Sequence, residues 1–241
     1  MARFFVCTFI STIFCILGIW LTKKEYLLIV KQSEVKMKVE NIKVNDLFES
    51  IVASKYPMAV DTKKCTTEIT KTVEALAQSA KGEGHDQFLT GIRISFDLTC
   101  SNKMWVEIER YRFVEFVSSQ STMHRIARFD IKSQCNKYVD PVIVKRVEEL
   151  KEEYLAVEKN EKSTPQEKAE AYLKLLYNVP SGFELTARLT TNYRALKTVY
   201  AQRKNHRLPE WRAFCRLIEE LPYARQLIVP KDKQKEMGAE K

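Results

Sequence analysis

From Ile92 to Thr99 the chain alternates with a period of two. Ile92, Ile94, Phe96 and Leu98 are apolar, while Arg93, Ser95, Asp97 and Thr99 between them are polar. Successive side chains of a strand point to opposite faces, so this segment must lay one face on a core and turn the other toward water. A half-buried strand of this kind is common in antiparallel sheets, which often keep one wet face, and its apolar side must be covered by another layer. The rest of the chain supplies helices for it.

Met37 to Val44 reads as a first strand, and Asn45 or Asp46 caps a short helix through Ser54. Thr66 to Ala80 has helical periodicity, with Ile69, Val73, Leu76 and Ala77 on one face, until Gly82 and Gly84 break it. Ser101 caps a helix carrying Met104, Trp105, Ile108 and Tyr111, with Arg110 and Arg112 at its end. Asp140-Pro141 and Thr164-Pro165 each place a capping side chain before a proline at the first turn. They open a long amphipathic helix with a charge-rich tail at 148–162, and a second helix to about Tyr177. Residues 185–190 are ambiguous, 192–202 reads as helix, and 209–221 as another. The expected architecture is α+β: a single domain at 37–230, with a small antiparallel sheet packed by several long helices, preceded by an apolar N-terminal segment and followed by a Lys-rich tail at 231–241.

That N-terminal segment runs without a charge from Phe4 to Leu21, between Arg3 and Lys23-Lys24. It is just long enough for a membrane helix. Three readings stay open: a membrane anchor, an uncleaved signal, or an upstream extension ahead of a working start at Met37. The expectation for the domain itself is cytoplasmic, tethered to a membrane only if the segment is genuine. Six cysteines, at 7, 15, 65, 100, 135 and 215, form no CxxC pair and no zinc spacing. They read as reduced, mostly buried thiols.

The chemistry-bearing residues are few in kind. The sequence has no Walker loop, no GxGxxG, no HExxH and no GxSxG, and only three histidines: His85, His124 and His206. Hydrolase, kinase and zinc-enzyme readings have nothing to stand on. What remains is arginine beside hydroxyl and amide side chains, in a chain of net charge +9. Arg110-Tyr111-Arg112 is followed by Ser118-Ser119-Gln120-Ser121 and His124-Arg125. Asn192-Tyr193-Arg194 is followed by Arg203 and His206. Guanidinium forks, hydroxyls and amides suit phosphates and the polar edges of bases. Taken singly, an arginine at a helix end or an asparagine at a helix start is ordinary capping chemistry. A basic nucleic-acid module is a further reading, with Tyr111, Phe113, Tyr193 and Tyr200 as stacking partners, but aromatics at helical spacing are more often core, so nucleic acid is not expected as the partner.

In combination, the two stretches resemble signature regions of the flavin-dependent thymidylate synthases. That family carries an Arg-His-Arg triplet, a serine after seven residues, and a late Asn-x-Arg with another arginine nine residues on. The order and spacing of Gly84-His85, the alternating strand, Cys100 and the triplet match it, as do Pro180, the run to Arg203, and Glu210-Trp211 in place of the family's Gln-Trp. The resemblance covers roughly 80–215. It implies that His85, Arg110, Arg112, Asn192 and Arg194 contact FAD, and that Gln120, Ser121 and Arg125 hold the phosphate of dUMP or a related pyrimidine nucleotide. Arg203 would bind the pyrimidine and polarise its edge during methylation. It further implies methylenetetrahydrofolate and NADPH as co-substrates, and a homotetramer with sites where subunits meet. The alternative is a non-catalytic nucleotide- or flavin-binding protein on the same fold. The chain departs from the pattern at Tyr111 for the triplet's histidine, Glu107 for a glutamine three residues before it, Gln87 for a serine, Thr90-Gly91 for Glu-His, and Leu176 for an arginine. The gap from Arg112 to Ser121 is eight residues, and Arg125 lies four beyond Ser121 where the family has two.

Overall fold

The computed structural model describes residues 37–80 and 82–231. The apolar segment and its competing readings lie outside the described residues, as do Lys81 and the tail from 232 on. Among the described residues no helix is long and apolar enough to cross a membrane.

The alternating segment forms strand β2 (Arg93–Ser101) at the interior of a four-stranded, wholly antiparallel sheet. The strand order is β1 (Lys38–Asn45), β2, β4 (Glu184–Asn192), β3 (Glu115–Ser119). Ile92, Ile94, Phe96, Leu98 and Cys100 are buried. The other face is a polar ladder in register with β4: Thr99 bonds Thr186 at 2.7 Å, Ser95 bonds Thr190 at 3.3 Å, and Arg188 donates to Asp97 at 3.1 Å. β1 is bulged between Glu40 and Lys43, where Asn41 takes a left-handed conformation (φ 52°) that asparagine tolerates better than most residues.

Against the apolar face pack α1 (Leu47–Ala53), α2 (Lys71–Ala77), α3 (Asn102–Ile108), α8 (Tyr193–Arg203), α9 (Pro209–Glu220) and α10 (Ala224–Leu227). A second, smaller core joins Ile126, Ile131, Cys135 and Phe183 to the antiparallel hairpin of α6 (Pro141–Lys159) and α7 (Pro165–Tyr177). Two single-turn helices, α4 (Thr122–Arg125) and α5 (Ile131–Gln134), lie on that side; Tyr172 of α7 fixes α4 by donating to the carbonyls of Thr122 and Met123. The caps of α6 and α7 are as expected: Asp140 accepts from Val142 N at 2.8 Å, and Thr164 and Glu167 form a capping box.

Three expectations need correction. Asp46 does not cap α1; its carboxylate instead accepts from Arg93 at 2.7 Å. The helix expected over 66–80 is only α2, because Lys55 Nζ ties down the carbonyls of Thr66 and Glu68 while Thr70 caps the helix by accepting from Val73 N. The helix after Ser101 stops at Ile108, so Arg110, Tyr111 and Arg112 occupy a turn, not a helix end. Four cysteines, Cys65, Cys100, Cys135 and Cys215, are described and unpaired, and the last three are buried. Burial pushes the thiols of Cys135 and Cys215 up to about 11 and about 12. They are inert filling, as the sequence reading has it.

Candidate functional site

The junction of β4 and α8 gathers most of the candidates. β4 ends in Thr191-Asn192. The Thr191 hydroxyl donates to the Phe113 carbonyl at 2.7 Å, pinning the turn that carries Arg110 and Arg112. Phe113 itself is left-handed (φ 68°), a conformation rare and strained for a bulky residue. The turn is thus held by the sheet in a shape its own residues disfavour. Arg110 and Arg112 are exposed, and neither makes a hydrogen bond or ion pair among the described residues; Arg112 lies over the Phe113 ring at 5.6 Å. Two guanidiniums on a fixed turn leave an open cationic surface, of the kind that suits a phosphate.

Asn192 starts α8 and accepts from Ala195 N at 2.9 Å. Arg194, the second residue of α8, reaches back to the 3₁₀ helix His85–Thr90. Its Nε donates to Asp86 at 2.9 Å and its Nη1 to Gln87 at 2.7 Å. Asp86 is buried and also accepts from Lys197 at 2.8 Å. This carboxylate with two cations fastens α8 to the segment that bears His85, which is exposed and without a polar partner among the described residues.

Arg203 closes the same helix and is more deeply committed. Its Nη1 donates to Glu107 Oε2 at 2.9 Å, its Nε to the Tyr111 hydroxyl at 2.7 Å, and its guanidinium lies 4.7 Å from the Trp211 ring centre. The Tyr111 hydroxyl in turn donates to Gln202 Oε1 at 2.8 Å. Trp211 Nε1 donates to the same Glu107 oxygen at 2.9 Å, and Lys103 stands 3.6 Å from the other. Burial pushes the Glu107 carboxyl up, but the Trp211 hydrogen bond and the charges of Arg203, His206 and Lys103 outweigh it and hold it below the ordinary glutamate range. His206 is pulled two ways. Its Nδ1 accepts from Leu208 N at 3.2 Å, while its Nε2 sits 2.8 Å from Arg203 Nη1, which can only donate. A neutral imidazole has one acceptor nitrogen, so the two contacts require opposite tautomers.

The phosphate candidates lie elsewhere. Gln120 is exposed and continues the β3 edge, with its N–H donating to Thr186 O and its side-chain oxygen accepting from Thr186 N, both at 2.9 Å. Ser121 precedes α4 without capping it, and Arg125 ends that helix, exposed and without a partner among the described residues. Along β4, Thr186 and Thr191 are five residues apart, so this group lies roughly 17 Å from the arginine turn at ~3.4 Å per residue. One chain does not bring the two groups together. Tyr193 and Tyr200, candidates for base stacking, are buried and bonded to Pro222 O and Glu219, so they face no ligand. Sequence reasoning singled out neither Asp86 nor Lys197; a buried carboxylate cannot be told from an exposed one without its partners.

No protein-family model matches the sequence, and no curated protein matches it. Solved structures do. The flavin-dependent thymidylate synthase ThyX of Helicobacter pylori, complexed with FAD and dUMP, is 15% identical, with a TM-score of 0.51 over 81% of this chain and 98% of that one. The UMP/dUMP methylase PolB of Streptomyces cacaoi, bound with 5-Br dUMP, is 16% identical, with a TM-score of 0.51 over 78% of this chain and 89% of that one. Over most of its length, therefore, the chain has the fold of the flavin-dependent thymidylate synthases.

Proposed function

We propose that this chain is a divergent flavin-dependent pyrimidine-nucleotide methylase. It binds FAD and dUMP or a close relative, and methylates the uracil ring with methylenetetrahydrofolate as carbon donor and NADPH as reductant. The observation that carries the reading is the fold shared almost end to end with an enzyme solved with FAD and dUMP. The arginine turn supports it, since Arg110 and Arg112 have no hydrogen-bond or ion-pair partner among the described residues and suit the pyrophosphate of a dinucleotide cofactor.

The flavin, when bound, supplies the redox and one-carbon chemistry, and the protein binds, orients and polarises. In that division of labour Arg110 and Arg112 hold the cofactor's phosphates, and His85 and Asn192 flank it. Arg194, fixed by Asp86 and Gln87, sets the angle of α8 against the His85 segment. Gln120, Ser121 and Arg125 take the nucleotide phosphate, and Arg203 stabilises negative charge on the uracil edge as its carbon becomes nucleophilic. The separation between the phosphate group and the turn supports a site completed by a second copy of the chain, within a homotetramer.

The full-length protein titrated with FAD, with and without dUMP, tests this by its visible absorption and fluorescence quenching. Saturable binding with a spectrum altered by dUMP is expected. A folded protein that binds no flavin would end the enzyme reading. The commitment of Arg203 to Glu107 favours a second reading, a non-catalytic nucleotide- or flavin-binding protein on the same fold, for which FAD binds but no methyl transfer follows.

A further inference from the structure

We propose that Glu107 is a latch on Arg203, a residue that occupies the guanidinium from within the chain, so that a nucleotide reaches Arg203 only by displacing it. The inference rests on the nucleotide-binding reading above. Glu107 and Arg203 have side chains only 16% and 17% exposed, and they meet at 2.9 Å in an environment that strengthens their attraction. The Tyr111 hydroxyl accepts from Nε–H and the Trp211 ring lies against the guanidinium, so little of Arg203 is left for a ligand.

The latch can open because its parts are satisfied without Arg203. Glu107 keeps the Trp211 N–H at 2.9 Å and Lys103 at 3.6 Å, so no buried carboxylate is orphaned. His206 gains. Once Arg203 withdraws, the tautomer protonated on Nε2 lets Nδ1 accept from Leu208 N and turns Nε2–H toward Glu107 Oε2, now 3.6 Å away. The closed cluster forces one imidazole into two incompatible roles, and the open one needs a single role. A ligand oxygen of the uracil edge would take the place of the Glu107 carboxylate on Arg203.

Glu107→Gln tests the latch, since the amide keeps an acceptor for Trp211 and removes the charge. Two readouts are used on the full-length protein. Phenylglyoxal modification followed by mass spectrometry should find Arg203 protected relative to Arg112, and the protection should fall in Glu107→Gln. Titration with dUMP in the presence of FAD should show affinity about tenfold tighter in Glu107→Gln, the scale of one charge-assisted hydrogen bond, with the gain abolished by adding Arg203→Ala. Should Glu107→Gln fail to fold, Glu107→Asp withdraws the carboxylate by one methylene and must move both readouts in the same direction. Arg203 as reactive as Arg112 in the unmodified protein overturns the latch. So does unchanged or weaker dUMP binding in a Glu107→Gln protein that still binds FAD. If neither protein binds FAD or dUMP, the nucleotide reading falls, and the latch falls with it.

Discussion

Arg110 and Arg112 stand beside Arg203 in the fold, joined to it through Tyr111, yet the two places treat arginine oppositely. On the turn both guanidiniums are exposed and hold no carboxylate among the described residues. On α8, Arg194 and Arg203 are each held by a carboxylate far away in sequence, Asp86 by 108 positions and Glu107 by 96. The turn is strained and open, and the helix is relaxed and satisfied. Strain accumulates where surrounding structure imposes a shape, and here Thr191 imposes it from the sheet. The contrast separates arginines left open to solvent from arginines committed to a carboxylate, a distinction that residue type and spacing do not carry.

If the helix side is structural, damage there should unfold the protein before it affects any ligand. Trp211→Ala carries the largest expected effect. Trp211 is 1% exposed, packs on Tyr111 and Phe214, and serves Glu107 and Arg203. Its removal should cost about 3–5 kcal/mol in urea denaturation. A cost near zero would mean the cluster is not a packed unit. Asp86→Ala comes next, leaving Arg194 and Lys197 without their carboxylate. Because Arg194 is about a third exposed, water recovers part of the loss, and about 2–3 kcal/mol is expected. Asp86→Ala with full stability would mean that Arg194 is free, and would erase the difference between the two regions.

Much of this organisation could be read from the chain. The β2 alternation, the Asp-Pro and Thr-Pro helix starts and the Asn192 cap are local signals, decided within a few residues, and each appears as expected. β4 is ambiguous because its inward set, Leu185, Ala187, Leu189 and Thr191, interrupts two leucines with a small and a polar residue, too weakly apolar to stand out. β3 gave no signal, since all five of its residues are exposed and only its backbone pairing with β4 makes it a strand. At the site, Glu107 was visible as a carboxylate where the resembled family has glutamine. That it faces Arg203 was not, because the pair depends on how α8 packs against α3. Free and bound arginines differ through tertiary contacts alone.

A smaller effect reports on Glu107 through pH. Its carboxyl is depressed in the folded protein, so its contribution is complete above the ordinary value of 4.5 and fades as pH falls through the lower folded value. Glu74, Asp130 and Glu167 are depressed as well, so acid destabilisation alone identifies nothing. The difference between the unmodified protein and Glu107→Gln isolates the residue: their stabilities should diverge above about 4.5 and converge below it. Parallel curves would show that Arg203 gains nothing from the charge.

The smallest effect on stability belongs to the turn. Arg110→Ala and Arg112→Ala remove side chains that hold no partner among the described residues, so each should change the unfolding free energy by no more than about 0.5 kcal/mol. Their consequence should appear in binding. If both guanidiniums hold the phosphates of FAD, each substitution should weaken FAD by about tenfold or more, the worth of a charge-assisted hydrogen bond. Substituting lysine should recover only part, because an ammonium keeps the charge but not the planar fork. A melting temperature unchanged with FAD binding lost would place these two arginines on the ligand side of the comparison. Equal loss of stability in Arg112→Ala and Asp86→Ala would collapse it, because the strained turn would then be held by the arginines and not by Thr191.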